Sequence, residues 1–247
     1  MKALLEAELL KVRTTRTFAA LAGAAIATSV LIVVLTTLLS EPSEDSVLSD
    51  VFTSDTSSLF ILVLAIVGIS GEWRHRTITS SLLAEPDRLR FLATKTLAFA
   101  TAGLILSLLI SITISVIGYA ILSSRDLPVP EAGELAAQIG HNALLALLFG
   151  AFGVGIGAVV RIQPVAIVAV LALSFAIEPL IVSLAPEVGR FGPFVGLAIG
   201  VQDLGAEDFG FEDVDIFSPA VATIYMLAWI GAFFAAGYAM LRLRDVD

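Results

Sequence analysis

Six long apolar runs constrain this chain more than any other feature. They fall at Thr17–Leu39, Thr56–Ser70, Thr96–Leu122, Leu135–Val160, Pro164–Ala185 and Pro219–Leu241. A hydrocarbon core about 30 Å thick needs about 20 helical residues to cross it. Inside lipid every backbone polar group must be satisfied within the protein, so only helices and closed barrels span. The runs are continuous and lack the alternation of barrel strands, so the expected fold is all-α and integral to a membrane. The second run is short, and its helix is expected to continue through Gly71. Composition points the same way. Mean hydropathy is +0.96 and 15% of residues are charged, where a soluble domain is about a quarter charged. Residues 1–247 read as one transmembrane domain.

The segment before the first span, 1–16, places Met1, Leu5, Leu9 and Val12 on one helical face and Lys2, Glu6 and Arg13 on another. It is expected either as an amphipathic interfacial helix or as a solvated extension of the first span. The apolar run after it is longer than a signal-peptide h-region, so the N-terminus is expected to remain in place. With no Cys, disulfides and thiolate chemistry are excluded, and with two His a histidine-rich metal site is not expected.

The charges sort by side. Residues 1–16, 71–95, Arg161 and the C-terminal tail carry twelve of the fourteen Lys and Arg, with seven acids. The loops 40–55, 123–134 and 186–218 carry Arg125, Arg190 and fifteen acids. Basic loops stay in the cytoplasm, so both termini and 71–95 are expected there. The acidic loops then face outward, as a solubilising surface or as an attractor of cations. Glu212, Asp213 and Asp215 lack the order of a calcium loop. Within 186–218, Phe191–Val201 is apolar but too short to cross, which predicts a re-entrant or interfacial segment packed on protein.

Gly150, Gly153 and Gly157 in the fourth run are spaced for close helix packing. Glu178 is the single ionisable residue placed deep in a run, and Pro179 beside it interrupts the helical ladder. An intramembrane charge reads as a gate or pathway contact, or as a structural hydrogen bond near the outer end. No hydrolase motif and no phosphate-binding loop occurs. The chain is therefore expected not to be an enzyme and to bind no cofactor. Any ATP and Mg would sit on a partner.

The stretch Gly71–Lys95, GEWRHRTITSSLLAEPDRLRFLATK, is the most basic polar interruption. Thr77–Ala84 is expected as a short helix ended by Glu85-Pro86. Gly71, Glu72, Trp73, Arg74, His75, Thr77 and Thr79, then Leu82, Leu83, Ala84, Pro86, Arg88 and Lys95, resemble the pattern that follows the second span in ABC-2 transporter permeases. Arg76 stands where that pattern carries Gly. The resemblance implies the membrane subunit of an ATP-binding-cassette exporter in the cell (inner, cytoplasmic) membrane. It implies a homodimer or pseudo-symmetric heterodimer, two ATPase subunits, and surrounding membrane lipids as partners, with no nucleic acid. Glu72, Trp73, Arg74, Arg76, Thr77, Leu82, Leu83, Pro86 and Arg88 would then form the coupling segment that docks the ATPase, and replacing Glu72 or Arg88 would uncouple hydrolysis from transport. Without the resemblance, the same cations read equally as a headgroup-binding patch. The alternative function is an ion-coupled secondary transporter. An apolar bundle with one deep charge points to amphipathic or hydrophobic cargo.

Overall fold

Apolar runs of this length resolve as helices, and among the described residues every regular element is helical. The computed structural model describes residues 2–44, 46–74, 77–205, 209–211 and 214–243. Six helices are long and apolar enough to cross a membrane, with mean hydropathies between 1.8 and 2.5. They are α2 (Arg16–Leu39), α3 (Ser57–Arg74, preceded by a π turn at Leu48–Phe52), α5 (Arg88–Ser124), α6 (Ala132–Val159), the composite α7–α8, and α11 (Pro219–Leu243). In the composite, α7 (Gln163–Ala172) and α8 (Glu178–Leu184) are joined through a π segment at Leu173–Ile177. Four shorter α-helices occur among the described residues: α1 (Lys2–Thr14), α4 (Ile78–Ala84), α9 (Pro186–Gly189) and α10 (Gly196–Gln202).

Local chemistry sets the boundaries. α5 starts at Arg88, well before the apolar run, because the Asp87 carboxylate accepts from the Leu89 and Arg90 amides at 3.0 and 3.2 Å. α6 opens on a reciprocal cap between Glu131 and Glu134. Pro164 sits in the first turn of α7, where its missing N–H costs nothing. Ala84 ends α4 directly before Glu85-Pro86.

α6 is the central post. Of its most apolar window 83% is buried, against 17% for α2 and 22% for α11. It packs between α3, α5 and α11. A Cβ on Gly153 would lie 2.5 Å from the Leu62 carbonyl oxygen of α3, and one on Gly157 would strike Ile69 and Ile66 of the same helix. Gly150 meets the Phe99 and Ala100 backbone of α5 instead. The three glycines thus serve two neighbours, not one face, and bring two backbones close to α6. On the outside, Leu31, Leu35, Ile105, Ile112, Val168, Phe175 and Ile224 are exposed. Apolar side chains on such a belt are costly in water but neutral against acyl chains.

Contacts define two ends. At one, α1, the end of α3, the start of α5 and the end of α11 come together, and the Arg88 guanidinium donates to the Leu241 carbonyl. At the other, Arg125 donates to the Thr37 and Ser40 carbonyls that α2 leaves unpaired.

Candidate functional site

The densest charge chemistry lies at the end where α1, the end of α3, the start of α5 and the end of α11 meet. Lys95, early in α5, has 2% of its side chain exposed. Its Nζ lies 2.6 Å from Glu72 Oε1 on α3 and 2.8 Å from Glu8 Oε2 on α1. Lys11 Nζ reaches Glu8 Oε1 at 2.8 Å and Glu72 Oε1 at 3.9 Å. The Phe91 ring stands 5.1 Å from the Lys95 ammonium. Two carboxylates and two ammonium groups sum to zero, and charge-assisted bonds offset the burial of each. Burial alone would raise the Glu8 pKa, but the Lys95 and Lys11 ammonium groups hold it below its ordinary value. Burial works against the Lys11 charge as well, yet its bond to Glu8 and the fields of Glu8 and Glu72 hold its pKa above the ordinary value.

By sequence Glu72 belongs to a docking surface and Lys95 is one more basic residue. The structure buries both. Neither Glu8 nor Lys95 stands out locally, because their pairing spans 87 residues of chain. Only the spacing Glu8–Val12 on α1 hints at it, since it puts Glu8 on the inward face with Val12.

The other residues of the 71–95 stretch divide. Trp73 is half-buried against the main core and stacks under the Arg161 guanidinium, whose carbon is 3.8 Å from the ring centroid. Arg88 is half-buried and bonded to Leu241. Arg90 pairs with Glu85 at 3.7 Å and Asp87 at 3.9 Å. Arg74, Thr77 and Pro86 are exposed, and Leu83 on α4 is 78% exposed. Leu82 lies in the same helix. His75 and Arg76 lie outside the described residues, as do Glu212 and Asp213. A cavity of about 780 Å³ opens beside the Glu8–Lys95–Glu72 cluster.

Toward the opposite end lies a second polar cluster that sequence reading missed. By sequence Asp55 is one of the acids of the loop 40–55, but it is buried. It accepts from the Ser107 and Ser111 hydroxyls at 2.5 and 2.7 Å and from the Ser57 amide at 2.8 Å. Asn142 donates to Ser111 and to the Phe52 carbonyl, and its Oδ1 accepts from Gln138 and Gln202. No Lys or Arg pairs with Asp55 among the described residues. A four-residue hydroxyl spacing, Ser107–Ser111–Ser115, was the available signal: it lines one face of α5 with polar groups.

Glu178 is also buried, so it is one of several enclosed charges and not the sole one. Its Oε2 accepts from the Phe194 and Val195 amides at 2.9 and 2.8 Å. These amides belong to the turn that opens α10, whose residues Gly196–Val201 are all buried. A carboxylate at that position satisfies N–H groups that a helix start leaves unpaired. The π segment ends immediately before Glu178-Pro179, which widens the helix where proline interrupts the ladder. Among the described residues no group of three or more His, Asp or Glu is arranged to hold a metal. Compared with protein-family models and with characterised proteins, the chain matches none.

Proposed function

We propose that this chain is the transmembrane permease subunit of an ATP-binding-cassette exporter in the cell membrane, driven by ATP that a separate ATPase hydrolyses. The observation that carries the reading is the arrangement of residues 71–95. α4 stands between two spans at the end where α1 and the end of α11 meet α5, with Leu83 and Arg74 exposed upon it or beside it. An exposed leucine on a short helix suits a partner cleft better than lipid headgroups, because an apolar anchor gains by insertion into a pocket. The sequence resemblance to ABC-2 permeases covers the same stretch. The excess of Lys and Arg at this end supports a cytoplasmic orientation. Force delivered at α4 would reach three elements together, since the Glu8–Lys95–Glu72 cluster joins α1, α3 and α5. A permease pair, homodimeric or pseudo-symmetric, and two ATPase subunits complete the assembly.

The test is co-expression with the cognate ATPase subunit. Leu83→Asp and Arg74→Glu are expected to lower co-purification and permease-dependent ATP hydrolysis at least fivefold, while Glu44→Gln at the opposite end leaves both unchanged. Full coupling in both of the first two variants would sink the reading. Glu72 and Arg88 are weaker probes than the sequence suggested, because each holds an internal contact whose loss disturbs the fold itself.

A second reading, an ion-coupled carrier, draws on Asp55, a buried carboxylate surrounded by hydroxyls and amides. It requires gradient-driven uptake in proteoliposomes that contain no ATPase, abolished in Asp55→Asn.

A further inference from the structure

We infer that Asp55, at a break in the second span, anchors a binding site for one monovalent metal cation of sodium's size. The apolar segment Leu48–Arg74 is long enough to cross a membrane, yet it is not one helix. The π turn ends at Phe52, α3 begins at Ser57, and residues 53–56 belong to neither. Neighbouring helices fix the depth of this break. Thr56 bonds through its amide and its hydroxyl to Ser29 Oγ, at 3.0 and 2.9 Å. At about 1.5 Å per residue, Ser29 stands about 20 Å from the start of α2 and about 15 Å from its end. Ser107, which donates to Asp55, stands about 28 Å from the start of α5 and about 26 Å from its end. Asp55 therefore lies near the middle of the bundle. Irregular backbone at such depth occurs where protein encloses it or where it lines a site, and an ionisable side chain there points to function.

The surroundings of Asp55 select a cation. Its carboxylate is 7% exposed and takes three donors, the Ser107 and Ser111 hydroxyls and the Ser57 amide, but no Lys or Arg pairs with it among the described residues. The amide bond serves the start of α3, a role that Asn fills as well, so capping does not account for the charge. A carboxylate enclosed without a cation keeps its desolvation penalty, which a bound cation offsets. Ser57 supplies an independent observation. Its hydroxyl is buried and has no hydrogen-bond partner, and covalent geometry keeps it beside the carboxylate that its own amide contacts. A buried polar atom of this kind is costly until something satisfies it. The lone pairs gathered here belong to oxygen: the Asp55 carboxylate, the Ser57, Ser107 and Ser111 hydroxyls, and the Phe52 carbonyl, which Asn142 draws into the same network. Hard cations take such oxygens. One carboxylate gives the group a single negative charge, which matches a monovalent ion and leaves a divalent one uncompensated.

A polar route and a supply of cations accompany the site. Gln202 lines a second cavity, of about 470 Å³, and donates to Asn142 Oδ1 at 2.9 Å. Asn142 donates to Ser111 at 3.1 Å, and Ser111 to Asp55 at 2.7 Å. A continuous polar chain thus joins that cavity to the carboxylate. The segments 40–55, 123–134 and 186–218, two of which carry Asp55 and Gln202, hold fifteen acids against two bases, an imbalance that concentrates cations. Binding at equilibrium needs neither an ATPase nor a gradient, so the site stands apart from both readings of function. Sodium binding without gradient-driven uptake would overturn the carrier and leave the site intact.

The experiment follows the thermal unfolding midpoint of the full chain in detergent, and its binding of radioactive sodium, as sodium chloride replaces N-methylglucamine chloride at constant ionic strength. An ion held by the folded chain alone stabilises it by mass action, so the midpoint is expected to rise progressively with sodium. Asp55→Asn keeps the shape of the side chain and its bond to the Ser57 amide, and is expected to abolish both the rise and the binding. Ser57→Ala removes a hydroxyl that has no partner. It is expected to match the natural chain without sodium and to need at least fivefold more sodium for half-saturation. Where Asp55→Asn fails to fold, Ser57→Ala carries the test alone. A natural chain indifferent to sodium overturns the proposal, whether Asp55 holds a proton or stays bare. An undiminished rise in folded Asp55→Asn places the ion elsewhere and overturns the site. Unchanged half-saturation in Ser57→Ala overturns the oxygen set, and a larger rise with calcium at equal ionic strength overturns the monovalent assignment.

Discussion

Lys95 shows most clearly how a single side chain organises its surroundings. Removing it leaves the Glu8 and Glu72 carboxylates enclosed with Lys11 as their remaining cation. Breaking a buried pair from one side typically costs about 3–5 kcal/mol, because the stranded charge keeps its desolvation penalty. Lys95→Met is therefore expected to lower the thermal unfolding midpoint in detergent sharply. The triple variant Glu8→Gln, Glu72→Gln, Lys95→Met should recover part of the loss; a single variant as stable as the natural chain would refute the lock. The same cluster sets a pH response. The Glu8 carboxyl lies below its ordinary value near 4.5 when folded, so the unfolded chain takes up that proton first on acidification. Its contribution is complete above the ordinary value and is lost as pH falls through the lowered one. Midpoints measured from pH 7 down to 3 should fall less steeply for Glu8→Gln than for the natural chain. None of this was legible in the sequence. Lys95 read as one of five cations in a stretch, and nothing local distinguishes a lysine that finds two carboxylates on other helices from one that faces water.

At the scale of elements, legibility followed length and hydropathy. All six spans were readable because about 20 apolar residues leave a chain no other economical choice. α4 was readable from Glu85-Pro86, which stops a helix by backbone sterics alone. The buried α10 was readable as an apolar stretch too short to cross. What stayed hidden were features decided between elements. The π segment at Leu173–Ile177 has no residue signature of its own, and the early start of α5 depends on a cap outside the apolar run. The glycines of α6 were readable as packing residues, but not which helix each one meets. Their environments predict different costs. A Cβ at Gly153 meets the Leu62 backbone oxygen and the Ala65 Cβ at 2.5 and 2.8 Å, so α3 must move away. Gly153→Ala should destabilise by about 1–3 kcal/mol, the usual penalty of overpacking. Gly140 in the same helix has open space around its Cβ position, and Gly140→Ala should be neutral or stabilise by about 0.4–1 kcal/mol through the unfolded chain. Unfolding midpoints of the two variants, measured side by side, check the contrast; equal shifts would mean that α3 and α6 do not pack as described.

For the whole molecule the question is direction. Contacts alone establish which segments share an end: Lys95 with Glu8, and Arg88 with Leu241, gather α1 and the end of α11 at the start of α5. Arg125 with Thr37 and Ser40 gathers the loops of the other end. Only the charge distribution orients this body in a membrane. Twelve Lys and Arg in the sequence segments of one end against two in the loops of the other support the proposed orientation with the termini inside, because basic segments resist translocation. The absence of cysteine from the sequence makes that orientation directly measurable without background. Ser80 on α4 and Ser124 at the end of α5 are both exposed and lie at opposite ends. Single variants Ser80→Cys and Ser124→Cys, probed on intact cells with a membrane-impermeant maleimide, should separate cleanly. Ser124→Cys is expected to label at once, and Ser80→Cys only after the membrane is permeabilised. The reverse pattern would invert the molecule, expose α4 to the outside and leave it unable to receive force from any ATP-hydrolysing partner.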